Sequence, residues 1–287
     1  MEAVDITCQD GTLLKGHFLP GHGGPQRAGA QPVLLCPATG VKQQFYLRFA
    51  SWLAEQGHDV LVFDYRGIGL SLHGRLKDCR ATLAEWGQQD QVAALSWLVA
   101  RTGQDQVNLV GHSAGAQMIG LLPNHPHVAR LVGVAASTGW FRGMPIGFRI
   151  KANLGLRCLV PLGTLVTGYA PTAAFGLGEN LPAVVGRQWG QWCAAGGYAT
   201  NAVRGHPQRD FHAAIRIPVT VFHASDDSIA TSATVADLLR TLPAARTQVH
   251  RLVPREHGLK AIGHIDWFRT SHQALWPLLA RALRPEA

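Results

Sequence analysis

The sequence predicts an α/β protein built on a doubly wound, mostly parallel sheet. Three observations carry this: short runs of consecutive apolar residues recur along the chain, helix-patterned stretches separate them, and the connections are short. A strand buried on both faces has no polar side to alternate with. "PVLLC" (32–36), "DVLVFDY" (59–65), "QVNLV" (106–110), "RLVGVAAS" (130–137) and "PVTVFHA" (218–224) therefore read as inner strands of a parallel sheet.

From the N-terminus, residues 3–8 and 12–19 read as two strands joined at Asp10-Gly11, a hairpin signal. "GHGGPQRAGAQ" (21–31) is a polar, glycine-rich loop. Between the first two apolar strands Phe45, Phe49, Trp52 and Leu53 recur at helical spacing, with Gly57 as the C-cap. A second helix is expected over 89–103, with Val92, Leu95 and Val99 on one face and Gly103 at its end. A third carries Val235, Leu238, Leu239 and Leu242 after a Ser232 N-cap. "QVHRLV" (248–253) reads as the last strand and residues 267–283 as a closing helix.

Residues 140–212 break this rhythm. They separate two core strands by far more than the usual ~2–6 residues, and they carry Trp140, Phe141, Phe148, Tyr169, Phe175, Trp189, Trp192 and Tyr198. The expected organisation is a core of residues 1–139 and 213–287 with 140–212 as an inserted cap or lid. The alternative is a helical appendage whose aromatic residues pack on one another.

Composition narrows the function classes. Of 287 residues, 47% are hydrophobic and 15% charged, which suffices for a sizeable core and argues against disorder. The net charge is +8, but Lys and Arg are dispersed with no run of three, so nucleic acid is not an expected partner. A basic surface attractive to anionic substrates is the simpler reading. The five cysteines are odd in number, far apart and without Cys-x-x-Cys spacing, which argues against a disulfide framework or a zinc site. Neither metal nor cofactor is expected. "MEAVDITCQDG" has no basic n-region and no apolar h-region, so it does not read as a signal peptide. "CLVPLGTLVTGYAPTAAFGLG" carries two prolines and four glycines and does not read as a membrane span. A cytoplasmic protein without stable membrane insertion is the expectation.

The stretch that carries chemistry is "NLVGHSAGAQMIG" (108–120), where Gly111 and Gly115 flank Ser113 directly after an apolar strand. A tight strand–turn–helix lifts a serine hydroxyl clear of a sheet, and the residues two before and two after must then be tiny. An acid is expected just after "PVTVFHA", where Asp226 and Asp227 stand. A base is expected after the last strand, where His257 and His264 qualify.

With "VLLCPATG" leading into a candidate donor loop and "FDYRGIGLS" (63–71) ending a strand, the chain resembles the α/β-hydrolases over 1–139 and 213–287. "PATG" and "GHIDWFR" are similar to the motifs of one bacterial subgroup; residues 140–212 match no motif. The resemblance implies Ser113 as nucleophile. It implies Asp227 as acid, from the pattern Gly-x-x-Asp-x-x-x-Pro, although Ala224 and Thr231 replace its Gly and Pro. His264, after Gly263 and before an aromatic helix start, is the implied base. The Ala114 and Thr39 N–H groups would form the oxyanion hole, since Pro37 has no N–H.

The implied activity is cleavage of a carboxylic ester of a fairly apolar small molecule through an acyl-enzyme. The same apparatus suits a thioester, an amide or a carbon–carbon bond. A serine nucleophile argues against dehalogenase or epoxide hydrolase chemistry, which needs an aspartate. From another class, the scaffold could bind a ligand without catalysis.

Overall fold

The computed structural model describes residues 1–23 and 29–284, so the loop expected over 21–31 lies partly outside the described residues. Eight strands form one sheet: β1 (Glu2–Thr7), β2 (Leu13–Leu19), β3 (Val33–Cys36), β4 (Val60–Phe63), β5 (Val107–His112), β6 (Val128–Val134), β7 (Pro218–Ala224) and β8 (Arg246–Leu252). Their order is β1-β2-β4-β3-β5-β6-β7-β8, antiparallel at β1–β2 and β2–β4 and parallel from β4 to β8. The sheet is doubly wound and mostly parallel, as the apolar runs predict. Every residue of β3, β4 and β5 is buried, which is why those strands show no alternation.

The core helices are α1 (Leu47–Glu55), α2 (Val92–Thr102), the short α3 (Ala114–Gln117), α7 (Ser232–Arg240) and α8 (Trp276–Arg281); α4 (Ile146–Leu154), α5 (Val160–Thr167) and α6 (Ala183–Ala195) belong to the stretch between β6 and β7. α1 turns Phe49, Ala50, Leu53 and Ala54 inward. Its cap is Gln56, and Gly57, at φ +96°, lies one residue beyond. That is where a left-handed glycine closes a helix. Gly103 caps α2 in the left-handed conformation.

Two expectations are corrected. The N-cap of α7 is Thr231 rather than Ser232: Thr231 has extended backbone, and its hydroxyl accepts from the Thr234 N–H. The closing segment is not one helix over 267–283. It runs through 3-10 turns at Asp266–Phe268 and Thr270–Leu275, and α8 begins only at Trp276. Pro277 sits in the first turn of α8, where its missing N–H is tolerated. His272 leaves helical geometry, and its ring bonds the Ala261 carbonyl.

The "FDYRGIGLS" segment is scaffold. The buried Asp64 carboxylate accepts from the Gln43 and Leu70 N–H groups and from Gln43 Nε2. A Cβ on Gly69 would strike that carboxylate. Arg66 reaches Asp90 at 2.6 Å and Asp10 at 2.7 Å, joining the end of β4 to the β1–β2 turn and to the turn before α2.

The stretch between β6 and β7 is tied to the loops after β3 and β4. Glu179 N–H donates to the Gly40 carbonyl at 2.8 Å, and its side chain pairs with Lys42 at 2.9 Å. Pro182 packs against Gly67, and Gln188 Oε1 accepts from the Leu83 N–H.

Candidate active site

Ser113 stands between the end of β5 and the first residue of α3, with φ +49° and ψ −115°. A residue with a Cβ reaches that region only under strain. The strain is held by close backbone approach on both sides. A Cβ on Gly111 would collide with the Ala116 backbone, and one on Gly115 with the Cys36 carbonyl. The two glycines therefore make the turn possible and bring the end of β3, with the Pro37–Gly40 loop, beside Ser113.

Three side chains from three loops meet there. His264 Nε2 lies 3.0 Å from Ser113 Oγ, and His264 Nδ1 lies 2.8 Å from Asp227 Oδ2. Asp227 is buried, yet its carboxyl is held below the ordinary range. Burial pushes it up; the His264 ring and the N–H groups of Ala230 and Ile229 outweigh that. An ionised Asp227 can only accept, so Nδ1 carries the ring proton and Nε2 presents its lone pair to the serine hydroxyl.

Asp226 does something else. Its two oxygens accept from the N–H groups of Ile262 and Gly263, which fixes the loop carrying His264. Trp267 Nε1 donates to the Gly263 carbonyl and braces the same loop from its other side. His257 lies elsewhere, on a groove of about 1280 Å³ along β7 and β8 that none of the site residues lines.

Behind the site runs a relay through His112, the residue that precedes Ser113. The Ala38 N–H donates to Tyr46 Oη, which lies 2.8 Å from His112 Nδ1; His112 Nε2 lies 2.8 Å from the His264 carbonyl. A carbonyl can only accept, so Nε2 carries the proton, and Nδ1 accepts from the tyrosine hydroxyl. Burial pushes the His112 pKa down to about 3, consistent with a neutral ring. Phe268 packs edge-on against Tyr46 and Phe49 and against His112. The chain Ala38–Tyr46–His112–His264 thus links the loop after β3 to the loop bearing His264. Nothing in residue type or spacing marks Tyr46 as a member, because its contact spans 66 residues.

The Ala38 N–H is consumed by Tyr46, whereas Thr39 is the next N–H along and makes no hydrogen bond among the described residues. Ala114 opens α3, so its N–H has no acceptor within the helix. Beside Thr39 lies Tyr198, buried, with a backbone φ of +38°. Its hydroxyl has no hydrogen-bond partner among the described residues. Burial pushes this phenol far up and outweighs the Thr39 side chain, which is near enough to draw the phenol's pKa down, so the hydroxyl remains a donor.

The sheet order and the strand–turn–helix at Ser113 define an α/β-hydrolase fold. Residues 22–152 match the family model described as alpha/beta hydrolase fold. The Escherichia coli protein YfhR, itself uncharacterised, is 34% identical over 70 residues; the match spans 24% of this chain and a quarter of that one. Among solved structures, a soluble variant of the Saccharomyces cerevisiae monoglyceride lipase aligns over 100% of this chain and 97% of its own, at 15% identity and a TM-score of 0.64. A Pyrococcus furiosus esterase aligns over 98% and 90%, at 13% identity and a TM-score of 0.60.

Proposed function

We propose that the protein is a serine hydrolase that cleaves a carboxylic ester of a fairly apolar small molecule through an acyl-enzyme on Ser113. One observation carries the proposal. A single imidazole, His264, is hydrogen-bonded to the Ser113 hydroxyl on one side and to the buried Asp227 carboxylate on the other. The fold shared with a lipase and an esterase supports it.

Each group then has a role. The Ser113 hydroxyl gives its proton to His264 Nε2 as its oxygen attacks the acyl carbon. Asp227 holds the ring and stabilises the imidazolium that forms. The oxyanion takes hydrogen bonds from the N–H groups of Ala114 and Thr39, each worth about 2.7–4 kcal/mol in the transition state. His264 returns the proton to the leaving alcohol, then takes one from the water that releases the acid. Residues 140–212 act as a cap: the Glu179–Gly40 and Glu179–Lys42 contacts seat it on the donor loop. Buried Trp192 and Tyr198, ring to ring at 5.2 Å, place aromatic side chains in that cap.

A fluorophosphonate probe is expected to label the wild type at Ser113. Ser113→Ala should lose both labelling and turnover of short-to-medium acyl p-nitrophenyl esters. A folded wild type that is not labelled would sink the proposal. A substrate panel in which thioesters or amides outrun esters would keep the nucleophile and reassign the bond.

A further inference from the structure

The segment 146–167 is one continuous helical rod, α4 and α5 joined through a wide π-turn at Gly155–Leu159. One face is buried: Leu156 and Val160 turn inward, and Leu156 packs on Gly190 of α6. The opposite face is apolar as well, and it is bare. Ile146, Ile150, Leu154, Leu159 and Leu162 are exposed, and Leu165 and Val166 stand 84% and 88% open to solvent. Cys158 is exposed in the same row.

The stripe stays on one side for a geometric reason. In an α-helix each four-residue step drifts by ~40° around the axis, so the row 146, 150, 154, 158, 162 would wind off the face. The π-turn takes up an extra residue and turns the row back, keeping Leu162, Leu165 and Val166 in line with Ile146 and Ile150. Helical spacing puts Arg149 and Arg157 along one edge of the stripe and Lys151 along the other. Lys77 lies against Gly168 at the end of the rod. No Asp or Glu occurs between Asp105 and Glu179.

We propose that this face docks on the surface of an anionic phospholipid bilayer, with the apolar stripe among the upper acyl chains and the cations at the headgroups. The charge pattern selects this occupant. A two-fold contact with a second copy would bring the cationic edges of the stripe, Arg149, Lys151 and Arg157, against the same edges of the other rod, and the rod itself carries no carboxylate to pair with them. A lipid headgroup layer supplies the missing anions, and long cationic side chains reach it while their stems stay on apolar surface. No helix among the described residues is long and apolar enough to cross a membrane, so the contact lies in the plane of the interface. This docking goes beyond the hydrolase reading and does not depend on it.

The test is co-sedimentation of the whole protein with vesicles of phosphatidylcholine alone and of phosphatidylcholine with phosphatidylglycerol, at about 7:3. The wild type should pellet with the mixed vesicles, weakly with phosphatidylcholine, and less as salt rises. L162E/V166E should stay in the supernatant with an unchanged circular dichroism spectrum and melting temperature, because both side chains are solvent-exposed. K151Q/R157Q keeps the stripe and should bind the mixed vesicles at least tenfold more weakly, at about fivefold per lost cation. A folded wild type that never pellets overturns the proposal. So does equal pelleting with both vesicle types, or pelleting of L162E/V166E to the same extent as wild type. A wild type that is dimeric by light scattering, and made monomeric by L162E/V166E, would assign the stripe to a second copy instead.

Discussion

His112 offers a prediction whose size comes from its surroundings alone. The ring is fully buried, bonded at both nitrogens, and neutral, with its pKa pushed from the ordinary 6.5 to about 3. A folded-state pKa below the unfolded one means stability that is whole above pH 6.5 and lost as pH falls toward 3, where the unfolded chain binds a proton that the folded chain refuses. At 1.36 kcal/mol per pH unit, acidifying from neutrality to about pH 4.5 should remove about 2.5 kcal/mol through this one group. His58, His125 and His223 are also pushed down by burial and act in the same direction, so the diagnostic quantity is a difference. His112→Gln keeps a donor for the His264 carbonyl but leaves the Tyr46 hydroxyl without its acceptor, a loss of about 1–3 kcal/mol at neutral pH. Urea unfolding of both proteins should therefore show a gap at neutrality that closes or reverses near pH ~4.5, because the variant lacks the acid-labile group. A gap that stays constant over that range would refute the neutral, buried assignment of His112.

Four further outcomes follow from the site. Asp227→Asn should lower kcat by about 10⁴-fold with the fold intact, since an amide no longer selects the tautomer with a lone pair at Nε2. Asp226→Asn retains one acceptor for the Ile262 and Gly263 N–H groups; steady-state kinetics should show a loss of about tenfold or less, and equal losses at the two positions would contradict their separate roles. Tyr198→Phe removes a buried hydroxyl that has no hydrogen-bond partner among the described residues, so thermal unfolding should show unchanged or higher stability, by about 1 kcal/mol. A fall in kcat in that same variant would mark the hydroxyl as a donor to the bound ester. Gly115→Ala forces a methyl into the Cys36 carbonyl and should cost about 1–3 kcal/mol together with most of the probe labelling at Ser113.

The inner strands were legible because complete burial leaves a trace in composition: β3 and β4 are wholly apolar runs, β5 and β7 are mainly apolar, and the structure buries them throughout apart from Pro218 at the start of β7. The turn at Ser113 was legible for a related reason. Close backbone approach admits only glycine at 111 and 115, so sterics write themselves into residue identity. Helix ends were less so. Both Thr231 and Ser232 are competent N-cap residues, and only the backbone angle at 231 separates them. The closing segment has helical spacing, yet His272 leaves the helix to bond Ala261, a tertiary hydrogen bond that no periodicity reports.

The sequence by itself determined the sheet, the glycine-flanked serine and a short set of candidate acids and bases, because each depends on local sterics or on which residues are greasy enough to be buried. Only the tertiary structure decided between Asp226 and Asp227 as the partner of His264 and between His264 and His257 as the partner of Ser113. It alone joined Ala38, Tyr46 and His112 behind them. Those choices depend on distances between side chains far apart in the chain, 151 residues in the case of Ser113 and His264. Folding sets such distances by packing the whole core, and no local pattern in the sequence contains them.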